Sequence, residues 1–267
     1  VTKTPIKSQA PQGLGEAFAR ATAFIPYIVG GDPNLDATEE LLYALDEAGA
    51  DLIEIGIPFS DPIAEGPVIE AAYLRALEAG CTTDKLLDMV GRVHKHISAP
   101  LLFMSYYNPI FAYGASRFAK RCAANGIKGL IVPDLPFEER DELLAPCRAE
   151  GIELISLIAP TSNERIARIA NCSSGFLYCV SSLGVTGMRQ DLDDSAKRMI
   201  AQVRATSSIP CAVGFGITTP EQARTVAGFA DGVIIGSALV NMNEECGSLG
   251  TQAIARYARS IKQAISN

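Results

Sequence analysis

Short apolar runs rich in β-branched residues alternate with amphipathic stretches along almost the whole chain. The runs at 24–29, 52–55, 101–104, 129–132, 154–158, 176–180, 211–214 and 232–235 have strand length and are nearly continuously apolar. That is the pattern of strands covered on both faces. Between them, 35–48, 83–96, 115–124, 137–150, 163–170, 192–205 and 220–229 carry helical spacing. A last helix is expected over about 248–265, and 13–21 reads as a short leading helix. Ala48-Gly49-Ala50, Asn125-Gly126-Ile127 and Glu150-Gly151-Ile152 each put glycine just past a helix, where a left-handed residue satisfies the last carbonyls. Eight right-handed strand–helix units close naturally into a (β/α)8 barrel, with a doubly wound open sheet as the alternative. The expected architecture is therefore α/β, a TIM barrel with extra short helices. Residues 1–267 would form one domain, with 1–12 as a polar N-terminal tail.

Composition narrows the picture. Two domains would be the naive count for 267 residues, but barrels of ~250 residues are common single domains, and no linker-like stretch divides this chain. A net charge of -7 argues against a nucleic acid or an anionic membrane as partner. An anion would have to be held by local devices such as backbone N–H groups. No apolar run approaches the ~20 residues of a membrane span, and the first residues lack the apolar stretch of a signal peptide. A cytoplasmic location is expected, or the plastid stroma for a processed eukaryotic chain.

Seven cysteines without C-x-x-C spacing, mostly within apolar segments, read as buried reduced thiols rather than disulfides or a metal site. His94 and His96, the only histidines, fall at the end of a predicted helix and suit neither a ligand pair nor a triad. Phosphate-loop, dinucleotide and metal-ligand signatures are missing. So is a lysine at the end of a barrel strand, which leaves a Schiff-base mechanism without support.

Candidate chemistry concentrates where a barrel keeps its active site, at the C-terminal strand ends. In Asp51-Leu52-Ile53-Glu54-Ile55-Gly56, alternation puts Leu52, Glu54 and Gly56 on one face. With Ile53 and Ile55 under the helices, Glu54 points into the barrel, where a carboxyl is costly and its pKa is raised. This favours a general acid/base over an interior salt bridge. The following loop, 57–67, is stiffened by three prolines and carries Asp61 and Glu65. Tyr106 and Asn108 follow the third strand, Asp134 the fourth, and Tyr178 lies within the sixth. Tyr and Asn there suit a pocket for an aromatic substrate or a satisfied pocket wall equally well. Glycines after the sixth, seventh and eighth strands (Gly184 and Gly187, Gly214 and Gly216, Gly236 beside Ser237) let main-chain N–H groups approach an anion. Residues 237–240 would be the short extra helix of a barrel phosphate site. Residue types alone thus reach carboxylate acid/base chemistry on a phosphorylated substrate, without metal or cofactor.

The run Glu54-Ile55-Gly56-Ile57-Pro58-Phe59-Ser60-Asp61-Pro62-Ile63-Ala64-Glu65-Gly66-Pro67 closely resembles the signature of tryptophan synthase α subunits. The resemblance extends through Phe24-Ile25-Pro26-Tyr27, Gly31-Asp32-Pro33, Tyr106-Tyr107-Asn108-Pro109, Asp134-Leu135-Pro136, Gly184-Val185-Thr186-Gly187, Gly214-Phe215-Gly216 and Gly236-Ser237. It implies a lyase that cleaves indole-3-glycerol phosphate to indole and glyceraldehyde 3-phosphate. Glu54 would be the general acid/base. Glu65 stands where the family usually has an aspartate on the indole N–H, a departure that keeps the charge and adds one methylene. Tyr178 would lie beside the catalytic glutamate, and Tyr27, Met104 and Tyr106 around the indole. Thr186 would sit on a closing loop, with Gly184, Gly216, Gly236 and Ser237 at the phosphate. Ser182 falls where some relatives carry an arginine. The resemblance further implies an αββα complex, with pyridoxal phosphate only on the β partner, and Asp61, Asn108 and Asp134 on the side facing it. A stand-alone lyase and a catalytically weak activator of the β subunit are the other readings.

Overall fold

The computed structural model describes residues 13–180, 189–214 and 216–266. The expected strands are all present: β1 (Ala23–Val29), β2 (Ile53–Gly56), β3 (Leu101–Met104), β4 (Ile127–Ile131), β5 (Glu153–Ile158), β6 (Leu177–Val180), β7 (Cys211–Gly214) and β8 (Gly232–Ile235). Each pairs in parallel with the next, and β8 returns to β1, so the sheet closes into a barrel in sequence order. Every residue of β1, β2, β3, β7 and β8 is buried. The continuous apolar runs have that cause: helices cover one face and the barrel interior the other.

The helical layer comprises α1 (Leu35–Glu47), α2 (Pro67–Glu78), α3 (Thr83–Val93), α4 (Tyr107–Tyr113), α5 (Ala115–Ala124), α6 (Asp141–Ala149), α7 (Ile166–Cys172), α8 (Arg189–Arg204), α9 (Pro220–Ala227), α10 (Ser237–Cys246) and α11 (Gly250–Ile265). Side chains at the helix starts accept otherwise orphaned N–H groups: Asn34 from Ala37 in α1 at 2.9 Å, and Thr219 from Gln222 in α9 within a capping box. His94 caps the C-terminus of α3, its ring against the Val90 carbonyl at 3.3 Å.

Three features differ from the sequence expectation. Helix α2 begins inside the proline-rich stretch; Pro67 suits a first helical turn, where its missing N–H costs nothing, and Ile69, Ala72, Tyr73 and Ala76 form the buried stripe. Helix α4 starts directly after Tyr106. The extra helix expected at 237–240 runs on as α10 to Cys246.

One end of the barrel is plugged. Leu14, in a short 3-10 turn over Leu14–Phe18, is fully buried, and its N–H donates to Glu153 Oε1 at 3.2 Å. A β-carbon at Gly129 would strike Leu14 and crowd Leu102, so the plug fills the space that glycine leaves. Near the other end, buried Asp32 accepts a bidentate hydrogen bond from Arg75 of α2, at 2.8 and 2.9 Å. The Asp32 carbonyl accepts from Asn243 of α10 at 3.0 Å, so one residue braces both helices that frame the mouth. Among the described residues no helix is long and apolar enough to cross a membrane.

Candidate active site

The register of the first three strands sets the floor of the mouth. Tyr27 of β1, Glu54 of β2 and Leu102 of β3 are aligned partners, and Gly56 is aligned with Met104 one layer higher. Tyr27, Glu54 and Met104 are all buried. Glu54 has no solvent exposure, and among the described residues neither carboxyl oxygen has a hydrogen-bond partner. Burial, and then the nearby charge of Glu65, push its pKa up to about 8. An ionised carboxylate in such a place would be expensive, so Glu54 stands protonated at neutral pH with a proton to give.

Glu65 lies on the loop between β2 and α2 and is half-buried. Burial raises its pKa to about 7, against a hydrogen bond from Tyr106 that pulls it down. The Tyr106 hydroxyl donates to Glu65 Oε1 at 3.2 Å and accepts the Ala64 N–H at 2.9 Å. One phenol thus holds both the backbone and the acid of this loop. Its ring packs on Phe59 with centroids 5.5 Å apart. The two carboxyls therefore differ: Glu54 is fully buried and has no partner among the described residues, whereas Glu65 has a donor that favours its charged form.

Tyr178 on β6 is buried, and the burial and the charges of Glu54 and Glu65 raise its pKa well above the ordinary phenol value. Its hydroxyl lies over Gly214 of β7, where a β-carbon would collide with it. Tyr27 fills the corresponding gap above Gly56, and its hydroxyl pairs with that of Tyr73 at 3.0 Å. Burial comes first in raising Tyr27 and Tyr73 as well, with the charges of both glutamates adding to it. Tyr73 did not emerge from the sequence. Its signal was the apolar spacing of α2, which was masked by the prolines of the preceding loop.

Across the mouth, Gly236 is the N-cap of α10 and packs against the Tyr27 ring. Ser237 begins that helix and is exposed, so a helix N-terminus carrying an exposed serine faces the mouth. Gly216 holds a left-handed φ of 71° with open space where a side chain would stand. Gly184 and Thr186 lie outside the described residues. Asp61 and Asn108 are exposed at the rim, and the half-buried Asp134 accepts the N–H of Tyr107 at 2.9 Å, fixing the start of α4. Among the described residues no group of three or more His, Cys, Asp or Glu side chains converges as a metal site would need.

A closed parallel barrel whose mouth brings together two perturbed carboxyls, four buried phenols and a glycine-rimmed helix N-terminus has the layout of a barrel enzyme working by proton transfer on an anionic substrate. Residues 17–266 match the family described as tryptophan synthase alpha chain. The chain is 45% identical to the tryptophan synthase alpha chain of Lacticaseibacillus casei, over 94% of this chain and 95% of that one. It is 49% identical to that of Synechocystis, over 91% and 94%. Its fold superposes on tryptophan synthase subunit alpha from Legionella pneumophila with a TM-score of 0.86 at 39% identity, covering 94% of this chain and 97% of that one. For a chain of Mycobacterium tuberculosis tryptophan synthase the score is 0.88 at 35% identity, over 97% and 100%. The chain belongs to the tryptophan synthase alpha chain family, lyases acting on indole-3-glycerol phosphate in tryptophan biosynthesis.

Proposed function

We propose that the chain cleaves indole-3-glycerol phosphate by a retro-aldol reaction in which Glu54 and Glu65 divide the work. Glu54, neutral at pH 7, delivers its proton to indole C3. The ring then carries positive charge at its nitrogen, which ionised Glu65 holds through the N–H. The hydroxyl on the side-chain carbon next to the ring gives up its proton to the Glu54 carboxylate, that carbon becomes a carbonyl, and the bond to C3 breaks. The bonding electrons return to the ring, leaving neutral indole and glyceraldehyde 3-phosphate. Glu54 ends protonated, so the cycle closes.

The observation that carries this reading is the inequality of the two acids: one fully buried with no partner among the described residues, the other held by Tyr106. Tyr27, Met104, Tyr106 and Tyr178 form the walls for a flat aromatic substrate. Gly216, Gly236 and Ser237 meet the phosphate with backbone N–H groups and a hydroxyl, which suits a chain of net charge -7. Gly184 and Thr186 belong to the same site on the strength of the sequence motif alone. The reaction needs no cofactor on this chain.

The reading extends to a partner. Ile63 is 80% exposed and Phe111 64% exposed, on the two rim segments that also carry Asp61 and Asn108. Large apolar side chains at that exposure suit a docking face for the tryptophan synthase β subunit, which would bring pyridoxal phosphate in an αββα complex and take up indole. The whole chain then serves as one catalytic domain working in the cytoplasm. The test is release of glyceraldehyde 3-phosphate by the isolated chain and by the chain mixed with a β subunit. Turnover that Glu54→Gln abolishes supports the proposal; turnover no higher than that variant's, in both settings, defeats it.

A further inference from the structure

Between the outer side of β4 and β5 and the helices α6 and α7 lies a cavity of about 160 Å³, separated in the barrel from β2 and its inward-facing glutamate by β3. Its helix-facing position follows from Ser156 of β5. That hydroxyl meets Arg140, the residue that starts α6, at 3.2 Å and Ser173, just past α7, at 2.8 Å. Nine of its thirteen lining residues are apolar, Val132, Phe137 and Ile169 among them, while Arg140, Ser156, Ser162 and Arg165 give it a substantial polar side.

Arg140 is the unusual member. It is 8% exposed, yet among the described residues no carboxylate pairs with it. Its guanidinium donates to two neutral oxygens, Ser156 Oγ at 3.2 Å and the Cys172 carbonyl at 2.9 Å, and it stacks on the Phe137 ring at 3.9 Å. A guanidinium carries five N–H donors, so most of its capacity is unused. Arg165 at the cavity edge already has its counter-ion in Glu138 at 2.6 Å, and Arg168 lies 5.6 Å from the same Phe137 ring. A largely buried cation whose hydrogen bonds among the described residues go only to neutral oxygens, with the Asp141 charge acting on it without an ion pair, sits here beside further cations and an open space, an arrangement that an anion would complete. The space is about that of a cavity known to admit benzene, ~150 Å³, so the anion has room for an apolar body of one ring.

We propose that this cavity is a second binding site, for a small monocarboxylate with an apolar body, its carboxylate taken by Arg140 and its body by Val132, Phe137 and Ile169. The probe is benzoate, titrated calorimetrically into the full chain, with benzamide as the uncharged counterpart of equal shape. Binding of benzoate at one site is expected, at least tenfold weaker for benzamide, and at least tenfold weaker for benzoate in Arg140→Gln. Saturating glyceraldehyde 3-phosphate should leave it unchanged. Equal binding of the two probes, an unaffected Arg140→Gln, or displacement by glyceraldehyde 3-phosphate would each overturn the proposal, the last by moving benzoate to the barrel mouth. If Arg140→Gln does not fold, Overhauser contacts from the benzoate ring to the methyls of Val132 and Ile169 in the wild-type chain decide the matter, and their absence overturns it.

Discussion

Replacing Tyr106 by phenylalanine removes a single oxygen and tests the division of labour between the two acids. In the folded chain that hydroxyl accepts the Ala64 N–H at 2.9 Å and donates to Glu65 Oε1 at 3.2 Å, while the ring keeps its place against Phe59. A hydrogen bond to a charged group is worth ~1.5–3 kcal/mol. The length of this one and the partial exposure of Glu65 reduce that to ~1–2 kcal/mol. If the bond serves the reaction, kcat/KM falls roughly 5- to 30-fold, since ~1.4 kcal/mol is tenfold. The pH dependence carries a sharper signature. The phenol stabilises the charged form of Glu65 and holds its pKa down, so its loss raises a value already near 7, by roughly one unit at ~1.36 kcal/mol per unit. Glu65 must be charged to hold the indole N–H. The acid limb of kcat/KM therefore moves to higher pH, and the variant's deficit is larger at pH 6 than at pH 9. Steady-state release of glyceraldehyde 3-phosphate across that range measures both effects. An acid limb that stays put, or moves to lower pH, would refute the role assigned to Glu65.

Glu54 links catalysis to stability. Its pKa is about 8 in the fold against 4.5 for a free side chain, so the unfolded chain ionises first as pH rises. Its contribution to stability is complete below about 4.5 and is lost as pH climbs through about 8, by at most ~1.36 kcal/mol for each unit between. Thermal melts of Glu54→Gln should gain on the wild type between pH 5 and pH 8; a constant difference would count against a buried neutral acid. In the Tyr27–Tyr73 pair, either single change to phenylalanine leaves a buried hydroxyl alone and costs about 1–3 kcal/mol, while the double change costs less than the sum of the two. Additive urea-unfolding energies would argue that the pair is no unit. Arg75→Ala strands buried Asp32 without its bidentate partner, and should destabilise by about 2–4 kcal/mol in urea, the partial exposure of Arg75 tempering the ~3–5 of a fully buried pair. A loss under ~0.5 kcal/mol would show that water reaches the carboxylate.

The amino-acid sequence by itself determined the barrel. Eight apolar runs of strand length, separated by amphipathic stretches and glycine exits, admit few parallel arrangements, because strands buried on both faces need helices between them. It also marked Glu54, since one carboxyl in an otherwise apolar strand stands out without any knowledge of its neighbours. The helices α2 and α4 were hidden by local chemistry: proline and short polar residues near Pro67 and Tyr107 look like loop until a helix packs behind them.

Only the tertiary structure decided what each acid is. The sequence separated a strand carboxyl from a loop carboxyl but not their protonation, which is set by distant residues: Tyr106, 41 positions away, donates to Glu65, while no described residue donates to Glu54. The Tyr27–Tyr73 pair and Arg140, held by neutral oxygens beside its cavity, belong to the same category. Patterning is a property of neighbouring residues and survives in the sequence. Protonation, burial and partnership depend on which remote side chains share one dry space, and the closed chain alone brings those together.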